Sequence, residues 1–170
     1  MKLSRQRVQG WAKEIAITAL LILIFSNAIS YLRSPNIQDK TLPDINLLLT
    51  NQELYSTLDY KNKPLLIHFW ATWCPTCKLE AGNIQSLSQD YNVLTIAVKS
   101  GSDEEINNYL KEHALDYKVI NDSEGILSSQ FEVAAFPTTF IYDKDGKLSF
   151  SEVGYTSTLG LYLRMWWLKD

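Results

Sequence analysis

An α/β protein with a mixed central sheet and helices on both faces is predicted for this chain of 170 residues, and three observations carry that expectation. Apolar runs at residues 64–70 and 92–98 bracket a segment of helical character, which is the pattern of a strand-helix-strand unit covered on both sides. Residues 138–142 and 147–153 flank Asp143-Lys144-Asp145-Gly146, which spells a hairpin closed by an Asp-Gly turn. Alternating units first and a hairpin last place parallel and antiparallel strands in one sheet. The length suffices for one domain with a core plus an appendage, not for two domains.

The elements follow in order. Residues 33–43, polar and carrying Pro35 and Pro43, read as a linker, and residues 44–170 as the folded domain. A first strand is expected at 45–49 and a helix or turn region at 51–62. After the strand at 64–70, a helix that includes the cysteines runs to about Asp90. Ser102 caps the next helix, whose first turn holds Asp103, Glu104 and Glu105, and which puts Ile106, Tyr109 and Leu110 on one face as far as about His113. Residues 117–120 form a short strand, and Asn121-Asp122-Ser123 caps a brief helix to about Phe131. Residues 156–168 close the chain as a helix, with Leu159, Tyr162, Leu163, Trp166 and Trp167 expected to pack it on the sheet.

Upstream, residues 15–32 contain eighteen residues without a charge, about 27 Å as a helix, close to the hydrocarbon thickness of a bilayer. Lys2, Arg5, Arg7 and Lys13 precede the run, and only Arg33 and Lys40 follow it closely. That asymmetry puts residues 1–14 in the cytoplasm, makes 15–32 a single transmembrane anchor, and exports the rest. Trp11 and Tyr31 fall near the two ends, where interfacial aromatics sit. The alternative is a cleaved signal peptide, since Ser26-Asn27-Ala28 offers small residues at a peptidase spacing, and it exports the domain equally. A net charge of −3 with scattered Lys and Arg leaves no basic stripe, which argues against nucleic acid as a partner.

The only two cysteines lie in Trp73-Cys74-Pro75-Thr76-Cys77, where the buried strand gives way to the helix. Cys74 is therefore expected beside a helix N-terminus, whose free N–H groups and dipole favour a thiolate, with Cys77 shielded one turn on as its resolving partner. A zinc site would need two further ligands, and only His68 and His113 remain, without ligand-like spacing. A structural disulfide between neighbours on one turn closes a tiny loop and restrains the unfolded chain little. Redox exchange is the reading that remains, and it needs no cofactor beyond the Cys74–Cys77 disulfide itself.

Ala135-Phe136-Pro137-Thr138-Thr139-Phe140 adds a proline at the mouth of a strand, where it cannot donate a ladder hydrogen bond. Together with Phe69-Trp70-Ala71-Thr72-Trp73-Cys74-Pro75-Thr76-Cys77 and the Asp-Gly hairpin, this strand resembles the thioredoxin fold, a three-layer α/β/α arrangement. The apolar run, with Cys77-Lys78-Leu79-Glu80, is similar to the membrane-tethered TlpA/ResA group and within it to the suppressor-of-copper-sensitivity D type of bacterial envelope oxidoreductase. The resemblance spans roughly residues 42–168.

The resemblance implies a cis Pro137 facing the disulfide and a Phe136 backbone that pairs with the substrate chain. It also implies a periplasmic or extracytoplasmic domain on the inner membrane that acts on protein disulfides. A membrane thiol electron-transfer partner would recharge it, in cytochrome c maturation, copper tolerance or general disulfide repair. Glu80 matches an acidic residue that tunes the thiols in that group, against the plainer reading of a solvated helix carboxylate. His68 stands where thioredoxins carry a buried acid, and reads either as a proton relay or as a histidine hydrogen-bonded within the fold. Gly82 departs from the proline that the group often carries there. Trp70 and Trp73 are candidates for the rim around the sulfurs, or simply for core.

Direction is not written in these residues, so a disulfide-forming oxidant is an alternative to a reductase. A Cu(I)-binding thiol module is another, although only Met1 and Met165 offer further soft ligands. A thiol peroxidase would want a hydroxyl-bearing residue three positions before its cysteine, and here that position is Ala71.

Overall fold

The computed structural model describes residues 40–60 and 62–169, with residues 11, 13–15, 17, 18 and 21 upstream. The chain divides into a unit of residues 1–33 and a unit of residues 34–170. The proposed anchor at 15–32 lies almost wholly outside the described residues, and among those described no helix is long and apolar enough to cross a membrane.

The domain is built from strands β1 (Asn46–Leu48), β2 (Leu54–Ser56), β3 (Leu65–Trp70), β4 (Asn92–Val98), β5 (Lys118–Asp122), β6 (Thr138–Tyr142) and β7 (Leu148–Val153). The helices are α1 (Pro75–Ser88), α2 (Asp103–Glu112), α3 (Ile126–Gln130) and α4 (Thr158–Trp167). β3 to β7 form one sheet in the order β5-β4-β3-β6-β7, with β3, β4 and β5 parallel and the β6–β7 hairpin antiparallel to them. The mixed sheet agrees with the sequence pattern. β3 is central, bonded on both sides and buried at all six positions, and this is why it reads as an unbroken apolar run.

Both parallel crossovers, through α1 and α2, step in the same direction across the sheet, so one handedness puts both helices on one face. There α1, α2 and α4 pack on Leu66, Trp70, Val93, Ala97 and Val119. The opposite face is covered differently from the expectation of matching helical layers. Ile45, Leu49 and Tyr55 from the β1–β2 region, with Leu127 and Phe131 around the five-residue α3, close over Ile67, Phe69, Ile96 and Phe140.

One local expectation is corrected and another is met in an unexpected way. Residues 51–62 are not a helix: β2 pairs with β1 as a separate two-stranded hairpin and then runs into a 3-10 turn at Thr57–Tyr60. The three-residue strands are too short to show a period. The N-cap residue of α3 is Gly125, in the left-handed region (φ 77°) and without a side chain to cap with, so the expected cap from the 121–123 segment acts from a distance. The carboxylate of Asp122, at the end of β5, instead accepts the N–H groups of Leu127 (3.0 Å) and Ser128 (2.9 Å). By contrast the Ser102 cap of α2 is a full capping box with Glu105.

Because Asp122 is buried and satisfies two helix-start donors, Asp122→Ala should cost about 1–3 kcal/mol in urea unfolding of the oxidised protein. Asp122→Asn, which keeps an acceptor, should cost less.

Candidate active site

The two cysteines are joined by a disulfide with Cα atoms 5.3 Å apart. Leu66, His68 and Trp70 alternate onto the face that holds the disulfide, and the chain then leaves β3 through Ala71 and Thr72. Cys74 is the N-cap of α1, with extended backbone (φ −86°, ψ 114°) and Pro75 at the first helical positions, where its missing N–H costs nothing. The Cys77 N–H donates to Cys74 Sγ at 3.1 Å. Cys74 is 5% exposed and Cys77 3%, so the two sulfurs differ less in exposure than in their place on the helix. Only Cys74 has an α1 N–H aimed at it.

The end of β4 fixes this loop. Ser100 Oγ accepts the Thr72 N–H (3.0 Å) while its own hydroxyl donates to the Val98 carbonyl (3.0 Å). The Lys99 carbonyl accepts Nε1–H of Trp73 at 3.1 Å, from a residue held at φ 46°. The sequence reading missed Ser100 and Lys99. Their signal is positional, for in parallel sheets functional loops gather at the carboxyl ends of the strands.

On the other side the Phe136–Pro137 peptide is cis. The Pro137 carbonyl is held by the Gly154 N–H (2.8 Å), and among the described residues nothing hydrogen-bonds to the Phe136 backbone. The Phe136 ring meets Trp73 edge to face at 5.7 Å, and Trp73 is 58% exposed. Trp73 therefore stands at the rim, whereas Trp70, 2% exposed and packed against Tyr109 and Tyr117, is core.

Glu80, one turn past Cys77, is fully buried rather than a solvated helix carboxylate. Its Oε1 accepts the Thr156 N–H at 3.0 Å, and its Oε2 has no partner among the described residues. Burial pushes its pKa up to about 8, against the opposing pull of the Thr156 N–H and with a small further rise from Glu152. Glu152 itself pairs with Arg164 at 2.6 Å. His68 is also buried, with Nδ1 hydrogen-bonded to Thr139 Oγ1 across the sheet at 2.9 Å, and burial lowers its pKa to about 3. It is a neutral histidine bonded within the fold. His113 is exposed at the end of α2, stacked on Tyr109. Among the described residues no group of three His, Cys, Asp or Glu side chains is placed to hold a metal ion.

A strand, a capped helix bearing a Cys-x-x-Cys disulfide at its start, and a cis-proline loop define the class of thioredoxin-fold disulfide proteins. The sequence model of the redoxin family matches residues 37–160, and the chain belongs to that family. A thioredoxin-like protein of Haemophilus influenzae is 29% identical over 155 residues, covering 88% of this chain and 90% of its own length. The thiol:disulfide interchange protein DsbE of Vibrio cholerae is 31% identical over 119 residues, 68% of this chain and 64% of that protein. The crystal structure of the exposed lipoprotein thioredoxin of Streptococcus pneumoniae superposes with a TM-score of 0.65 at 27% identity, over 74% of this chain and all of that one. Fold, disulfide and kinship together make the chain an enzyme of the thiol-disulfide oxidoreductase kind.

The two buried groups predict a pH profile for stability. Glu80, raised from 4.5 to about 8, binds a proton more readily folded than unfolded, so its stabilisation is lost as pH rises between those values. His68, lowered from 6.5 to about 3, binds a proton less readily folded, so acidification through that window destabilises. The two slopes, up to about 1.4 kcal/mol per pH unit each, oppose one another where the windows overlap. Urea unfolding of the oxidised protein should show a plateau between about pH 4.5 and 6.5 with a fall on either side. Glu80→Gln should abolish the alkaline fall and leave the acid one.

Proposed function

We propose that the chain is an extracytoplasmic thiol-disulfide oxidoreductase that reduces disulfides of protein substrates. The observation that carries the exchange chemistry is the Cys77 N–H on Cys74 Sγ at the N-terminus of α1, which favours negative charge on that sulfur once the bond is opened, while the reducing direction rests on the resemblance to the TlpA/ResA group. The Cys74 thiolate attacks a substrate disulfide, and one substrate sulfur leaves as a thiolate. Cys77 then loses its proton and attacks Cys74 Sγ, releasing the second substrate thiol and restoring the Cys74–Cys77 disulfide. Two electrons pass from the pair to the substrate, and no bound cofactor takes part.

Glu80, its pKa raised to about 8, is a far stronger base than an ordinary carboxylate, and its ionised fraction is the form that takes the proton Cys77 gives up. His68 is neutral and its Nδ1 is already engaged with Thr139, so it offers no imidazolium to act as a relay. The unpaired Phe136 backbone beside cis Pro137 offers the substrate chain a strand-like partner, and Trp73 lines the approach.

The eighteen uncharged residues at 15–32 and the basic residues before them support a single-pass anchor in the bacterial inner membrane with the domain outside. The description of the pneumococcal relative as an exposed lipoprotein is in keeping with an extracytoplasmic site of action. A reductase in an oxidising compartment needs resupply, which a membrane thiol electron-transfer protein would provide. Within the TlpA/ResA group we favour the suppressor-of-copper-sensitivity D type, with copper tolerance or cytochrome c maturation as the setting.

Equilibration with glutathione buffers tests the direction. A midpoint below about −200 mV is expected, and one near about −120 mV would make the protein an oxidant. Cys74→Ser should abolish disulfide turnover, and Cys77→Ser should accumulate the mixed disulfide with substrate.

A further inference from the structure

The sequence pattern led us to expect Leu159, Leu163, Trp166 and Trp167 to pack α4 onto the sheet, and the structure reverses this. Leu161 and Met165 make the contact and are fully buried, while Leu159 (69%), Leu163 (54%), Trp166 (60%) and Trp167 (74%) face outward. At about 100° per residue those four lie in one arc of roughly 100°, opposite the buried pair. No charged side chain falls within it. The flanks are occupied: Arg164 is paired with Glu152, and the Tyr162 hydroxyl donates within the protein, to Asp90 Oδ2 (2.6 Å) or the Ser86 carbonyl (2.9 Å). A helix apolar on every side has a second face to cover, and nothing among the described residues covers this one.

We propose that this outward face of α4 lies in the interface of the lipid bilayer, with Trp166 and Trp167 at headgroup depth and Leu159 and Leu163 beside the acyl chains. The proposal rests on the membrane-anchor reading in one respect. From Leu32, the end of the uncharged run, to Leu42 is ten residues, a reach of at most about 35 Å, so a bilayer is always within range of the domain.

The chemistry of the face points the same way. Indole rings and leucines without a charge are what an interfacial helix presents to lipid. A protein partner would call for polar groups at the rim free to pair with it, and those flanking the arc, Arg164 and the Tyr162 hydroxyl, are already engaged within the protein. The apolar surface also continues toward the disulfide. Thr156 N–H donates to Glu80, and Asn83 of α1 donates to the Thr156 carbonyl (2.9 Å) and accepts from the Thr158 hydroxyl (2.8 Å). At that junction Tyr155 is 56% exposed and Leu79, two residues past Cys77, is 76% exposed. Seating α4 on lipid would therefore hold α1, joined to it here, near the membrane surface.

The test uses the full chain reconstituted in vesicles of phosphatidylethanolamine and phosphatidylglycerol whose acyl chains carry bromine, which quenches tryptophan on contact. Trp166→Phe with Trp167→Phe keeps the face apolar and should remove about two thirds of the lipid-quenched emission, leaving that of Trp11. Leu159→Glu with Leu163→Glu leaves the core untouched. It should lose the same quenched component while exchange with a small soluble disulfide continues at the wild-type rate. Equal quenching in wild type and both variants overturns the proposal, whether the face then proves bare or cross-links to a second copy. Alkaline carbonate extraction reads the anchor separately. A chain washed from the vesicles refutes the anchor, and one retained but unquenched at the tryptophan pair refutes only the docking of α4.

Discussion

The hydrogen bond from the Cys77 N–H to Cys74 Sγ is the interaction around which the site is organised, because it ties the chemistry of one sulfur to the start of one helix. Everything near it holds that geometry. β3 supplies a buried, doubly bonded track up to Trp70, Ser100 and Lys99 at the end of β4 grip Thr72 and Trp73, and Pro75 starts α1 without an orphaned donor. The sulfur is then an N-cap acceptor, a position that a thiolate fills better than a thiol. With the two cysteines near-equally buried, the proposed preference for Cys74 rests on electrostatics rather than on access.

Beneath the disulfide the protein keeps its ionisable groups uncharged at neutral pH. Glu80 and His68 are both enclosed, one held by a single backbone N–H and the other by a threonine hydroxyl. In the proposed exchange an acid with a raised pKa, one turn from Cys77, takes the proton in its ionised fraction and is neutral again afterwards, so no permanent charge sits in the core. The cost is an acceptor oxygen left without a partner, Glu80 Oε2, and such a group in a site of this kind is better explained by proton exchange than by stability.

What was legible in the sequence divides along physical lines. Long buried strands and strongly signalled caps could be read: β3 and β4 from their apolar runs, α2 from Ser102 and Glu105, the β6–β7 turn from Asp145-Gly146. Of the hairpin β1–β2 only the first strand was read, since the three-residue β2 shows no period. The Asn121-Asp122-Ser123 segment was read as the cap of α3, and Asp122 does cap it, though from five and six residues away rather than from the N-cap position. At the site, Cys74 and Cys77 were visible from their spacing and the cis Pro137 only from resemblance. The choice between relay and bonded histidine for His68, and between buried and solvated for Glu80, needed burial that a sequence does not contain. The orientation of α4 was misread for the opposite reason, since a helix apolar all round gives no phase to choose a face.

The account depends most on the claim that reduced Cys74 is the activated sulfur. Alkylation of the reduced full chain with iodoacetamide across a pH series, with the labelled residue located by mass spectrometry, tests it directly. Label entering at Cys74 first, with a midpoint clearly below the ordinary thiol value of about 8.5, is the expected result. Label entering at Cys77 first, or at both cysteines together with an ordinary midpoint, would contradict it.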